Sequence, residues 1–132
     1  MKSLHSVFLL LAANLLSSAV AADEKPYVQS RAMSPVMVNE AVTAAASECA
    51  KSGYQVAVAL VDRAGILQGF MRNPHAGSHT VDVSISKAKT AASFKTATID
   101  MMTNQRLQHL KSAPAVLLLG GGVPIQAGGH CY

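Results

Sequence analysis

An α+β fold, an antiparallel sheet with a central hairpin and helices packed on it, is predicted by three features of the sequence. Two strand-like runs, residues 54–61 and 66–72, are separated by a tight turn. A helix with a well-marked start precedes them, and a second helix built of small apolar residues follows. The chain has 132 residues, enough for one domain with a modest core.

Residues 1–22, MKSLHSVFLLLAANLLSSAVAA, combine a basic start at Lys2, an apolar run over 7–16 and the small residues Ala19, Val20 and Ala21. That is the pattern of a secretory signal peptide cut after Ala21 or Ala22. The alternative is an N-terminal membrane anchor, but the apolar run is shorter than the roughly 20 residues that span a bilayer. No Cys follows the run, which argues against a lipoprotein. The expected location is periplasmic or secreted, with no membrane attachment after processing. Cleavage removes Lys2 and no acid, lowering the formal charge from +4 to +3. Residues 23–33 are polar, contain Pro26 and read as a mobile mature N-terminus.

The domain is expected to occupy residues 34–132. Ser34-Pro35 starts its first helix, with Ser as the cap and Pro in the first helical position. Val38, Ala41, Val42, Ala45 and Cys49 form an apolar stripe, and Gly53 supplies a left-handed end after Lys51. Residues 54–61 follow. Tyr54, Val56, Val58 and Leu60 alternate with Ala57, Ala59 and Val61, so both faces are apolar and the strand reads as central and covered. Asp62 to Gly65 make the turn, and Asn73-Pro74 ends the returning strand. Beyond a loop of small residues, Val81, Ser84, Ile85, Ala88, Ala91 and Ala92 share one helical face, with Ser78 or Thr80 as the expected cap.

Residues 95–111 are only loosely periodic and predict a broken helical stretch that ends before Pro114. Residues 115–119 predict a short buried strand. Gly120, Gly121 and Gly122 lack the spacing of a phosphate loop and read as a structural turn. Residues 123–125 are expected to be extended, with Pro124 restricting them to an edge.

Half of the residues are hydrophobic and 14% are charged, a globular composition rather than a disordered one. Nucleic-acid binding is not expected, since Lys and Arg do not cluster with aromatic residues. No nucleophile elbow or zinc-protease motif is present, and Glu40, Glu48, Asp62, Asp82 and Asp100 are scattered. In an oxidising compartment Cys49 and Cys131 could pair, or Cys49 could simply be a small buried residue of its helix.

The ordered set AVALVDRAG, a loop of small residues, KAKTAASF and GGGVPI resembles the GlcG/HbpS-like haem-binding family. It is also similar to the C-terminal domain of PduO-type corrinoid adenosyltransferases. The resemblance spans about residues 34–125 and implies a profilin-like layout and binding of haem or a related tetrapyrrole. It also implies that the chain stops short, QAGGHCY standing where relatives turn into a last strand and helix. A sheet ending there exposes an unpaired edge beside residues 123–125, and a homo-oligomer is expected.

Under this resemblance the loop before the second helix is the expected haem site. His75 and His79 lie four residues apart, and haem iron needs only one imidazole, with His75 preferred. A structural zinc site would need further ligands. Arg72, Lys87 and Lys89 are candidate partners for the propionates, although the two lysines leave the helix on different sides. Met71 is a possible soft iron ligand, and a helix start offers amides to a carboxylate. No metal ligand is carried over from the family's acidic motif, which has no counterpart here. Two rivals remain: a corrinoid or other small-molecule module, and a structural oligomer without catalysis.

Overall fold

In the computed structural model, residues 26–131 are described, without the side chains of His130 and Cys131. The expected signal peptide and Asp23 lie outside these residues. Residues 26–30 form neither helix nor strand and are exposed.

From Arg31 onward the elements follow from the chain. Helix α1, Pro35–Lys51, begins at Ser34, whose hydroxyl accepts from the Met37 N–H at 3.4 Å. It ends at Ser52, and Gly53 turns the chain at φ 81°. Strands β1, Ala57–Val61, and β2, Leu67–Arg72, pair antiparallel, with Ala57 opposite Arg72 and Leu60 opposite Gly69. The Asp62 carboxylate holds the turn by accepting from the N–H groups of Ala64 (2.9 Å) and Ile66 (3.0 Å). Helix α2 is Thr80–Phe94 and helix α3 is Thr98–Thr103; a 3-10 segment, Gln105–Ser112, follows. The broken helical stretch is therefore borne out, as is the α+β hairpin with a helix on either side of it in sequence.

Three expectations are corrected. Neither Ser78 nor Thr80 caps α2: His79 stands at the cap with helical dihedrals, and the Thr80 hydroxyl donates to the Gly77 carbonyl at 2.6 Å. Residues 115–119 are buried at Leu118 but are not a strand. Their polar groups are met by side chains instead, the Leu117 N–H donating to the Thr90 hydroxyl and the Leu119 carbonyl accepting from Thr98. Strand β1 is covered on its faces but has only β2 as a strand neighbour among the described residues. A small hairpin, β3 at Gln126–Ala127 and β4 at His130–Cys131, was not anticipated in QAGGHCY.

One core lies between α1 and the hairpin, where Val38, Val42 and Leu60 are buried against Val58 and Ile125. Gly69 permits this approach: a Cβ there would stand 2.5 Å from Val38 Cγ1. Leu60 and Val61 are neighbours on opposite faces and both are buried, so β1 is covered on both sides. α1 takes the Leu60 side, and α2 packs on β1 from the other. Met101, Thr90 and Thr98 are the largest fully buried side chains, and Thr98 of α3 meets the glycine turn at Gly122.

Candidate functional site

Two regions carry the candidate residues. The first is the loop between β2 and α2. Its frame is Arg72, whose guanidinium donates to the carbonyls of Ala76 at 2.7 Å and Pro74 at 3.4 Å. The Asn73 side chain accepts from the His75 N–H at 2.9 Å, and the Ala76 N–H donates to the Asn73 carbonyl at 3.0 Å. Ala76 is buried under this frame, while His75 and His79 are exposed. The His79 ring lies over Gly77, since a Cβ on that glycine would come within 2.6 Å of Cε1. The space beside Gly77 thus belongs to His79, and His75 projects from a turn fixed from below. A hollow of about 180 Å³, lined by Tyr54, Met71, Arg72 and Pro74, adjoins the loop.

The second region is a groove of about 430 Å³ along β1. Ala41, Ala45 and Cys49 of α1 line one wall, and Val83, Lys87 and Ala88 of α2 line the other. Residues 121–125 complete it. Here the glycine turn has a defined purpose. A Cβ on Gly122 would stand 2.5 Å from the Lys87 carbonyl oxygen, so only glycine allows the turn to lie against α2. Thr98 holds it in place, its hydroxyl accepting from the Gly122 N–H at 2.9 Å.

Arg72, His75 and His79 are therefore brought together in one loop, and Lys87 and Lys89 are not part of it. Lys87 is half-buried in the groove, about 12 Å along α2 from His79 at 1.5 Å per residue. Lys89 is exposed and runs beside Gly65 at the hairpin turn. Among the described residues no three His, Cys, Asp or Glu side chains converge as a metal site. Cys49 is half-buried in the groove wall, and a pairing with Cys131 concerns a side chain outside the description. Sequence reasoning missed Thr90 and Thr98. Their hydroxyls replace strand pairing at sequence separations of 27 and 24 residues, which leaves no local pattern.

The loop, hairpin and helix order correspond to a known family. The family described as "haem degrading protein HbpS-like" matches residues 33–132. The chain belongs to the HbpS-like family. Among solved structures similar to this HbpS-like chain is a double mutant of Streptomyces reticuli HbpS. It shares 32% identity over 87% of this chain and 80% of its own, with a TM-score of 0.76. A PduOC structure, solved as a heme complex, shares 26% identity over 76% of this chain and 78% of its own, with a TM-score of 0.68. A Klebsiella pneumoniae protein, ORFY, shares the fold at 23% identity, covering 81% of this chain and 78% of its own with a TM-score of 0.69. No curated protein matches the chain.

Proposed function

We propose that this chain is a haem-binding module acting outside the cytoplasm, with His75 as the preferred iron ligand and His79 as the second. Membership of the HbpS-like family carries the reading, and the similar PduOC structure was solved with heme. The residues present fit the group in kind. His75 and His79 each offer an exposed imidazole whose ring makes no hydrogen bond among the described residues. Either imidazole would hold the iron of a bound haem through a ring nitrogen.

The chain's own residues would divide the work. Arg72 spends its guanidinium on the Pro74 and Ala76 carbonyls, so its first role is to hold the turn that presents His75. It is a positioning residue before it is a propionate partner. Lys87 and Lys89, which stand away from the loop, are expected to contribute less to haem affinity than His75. Scavenging, or service to a sensor, is the physiological role in keeping with an exported binder.

Titration of haemin into the purified chain tests this. A Soret shift with saturation is expected, and His75→Ala should change the iron spectrum and weaken binding. Absence of any Soret shift would overturn haem binding. An unchanged spectrum and affinity in the His75→Ala/His79→Ala double variant would overturn the ligand assignment alone.

A further inference from the structure

The hairpin is closed at one end by Val56 and Asn73, the Asn73 N–H donating to the Val56 carbonyl at 3.0 Å. At that end lies the hollow of about 180 Å³, lined by these two residues, Ala46 of α1, Tyr54, Met71, Arg72 and Pro74. Tyr54 is 67% exposed and Met71 37%, so two large apolar side chains of the lining are left uncovered. The polar groups beside them are turned back on the chain. Asn73 Oδ1 accepts from the His75 N–H at 2.9 Å, and Arg72 Nη2 donates to the Pro74 and Ala76 carbonyls. The hollow therefore offers a ligand chiefly apolar surface. Its volume is below the roughly 300–1,000 Å³ of pockets that enclose a whole small ligand, so it can seat only one edge of a larger molecule.

We propose that this hollow seats the vinyl-bearing, apolar edge of the haem whose iron His75 holds, with Tyr54 and Met71 against the ring. The inference rests on the haem reading and adds to it the surface that orients the macrocycle. Continuity supports it, because Arg72, Asn73 and Pro74 both line the hollow and build the turn that carries His75. One imidazole fixes the iron but lets the ring turn about that bond; a second, apolar contact stops the turning. Vinyl and methyl groups leave water as they enter, and so do the Tyr54 ring and the Met71 thioether. The propionates, on the opposite edge, then stay in solvent, in keeping with an Arg72 already engaged on carbonyls.

Haemin and deuterohaemin, which lacks both vinyl groups, test this when each is titrated into the purified chain and its variants. Haemin should bind the unchanged chain about tenfold more tightly than deuterohaemin, the scale of partly burying two vinyl groups. Ala46→Phe, which fills the hollow from α1, should weaken haemin and erase that difference, with the haemin Soret band staying in place. Tyr54→Ala should weaken haemin in the same way, whereas Tyr54→Phe keeps the ring and should not. Three results overturn the proposal. One is equal affinity of the unchanged chain for the two haems, which needs no variant to fold. Another is unchanged haemin affinity in both Ala46→Phe and Tyr54→Ala. The third is loss of affinity in Ala45→Phe, which fills the groove along β1, with none in Ala46→Phe. A Soret shift accompanied by any of these leaves haem binding standing and removes only the hollow; no Soret shift at all removes both.

Discussion

The Arg72 guanidinium is bonded to the Ala76 carbonyl at 2.7 Å, across the loop that bears His75. A cation expected to face a ligand is instead folded back on its own chain. The Pro74 and Ala76 carbonyls lie beyond the end of β2 and have no strand partner, and a guanidinium has enough donors to take both.

Arg72→Ala should therefore loosen the loop. The expected loss of stability is about 1 kcal/mol or less, since the side chain is exposed to water. Haem affinity should fall without a change of iron spectrum, because the ligand is kept but less well placed. Both bonds leave one nitrogen, Nη2, and the Lys ammonium sits a bond closer to the backbone, so Arg72→Lys should recover little. Haemin titration and a thermal scan of the three proteins check this. A pure propionate role would let Lys rescue affinity.

Thr98→Val should destabilise the chain by about 1–3 kcal/mol, the cost of leaving the buried Gly122 N–H without its acceptor. Thr98→Ser keeps the hydroxyl and should lose less. Urea midpoints of the two variants decide it, and equal midpoints would mean that the hydroxyl does not hold the glycine turn.

Gly69→Ala should cost about 1–3 kcal/mol by overpacking, because the new Cβ would press on Val38 Cγ1 at 2.5 Å and Val42 Cγ2 at 3.1 Å. Combining it with Val38→Ala should cost less than the sum of the single changes, since the two share one space. A double-mutant cycle in urea measures the coupling, and additive losses would place the strain elsewhere.

We propose that the basic, apolar and small-residue order of residues 1–22 is a signal peptide, so export should yield a mature protein starting at Ala22 or Asp23. Mass spectrometry of the periplasmic or secreted fraction reads the terminus directly. An intact Met1 there would refute cleavage.

Local chemistry determined a good deal of this protein from sequence alone. Ser34-Pro35, the Asp62 turn and the small-residue face of α2 act over four or fewer residues, and the structure builds α1, the β1–β2 hairpin and α2 from them. The family could be recognised because those local signals recur in a fixed order. Only the tertiary structure decided the rest. Residues 115–119 have strand composition, yet a strand needs a neighbour, and here Thr90 and Thr98 satisfy that backbone from a distance. Arg72 has the charge of a ligand contact, but its partners are carbonyls that the folded loop brings within reach. Likewise the apolar pattern of β1 announces a covered strand without saying how many neighbours it pairs with. Alternation in sequence reports on the two faces of a strand, whereas its edges are set by backbone groups that every residue shares.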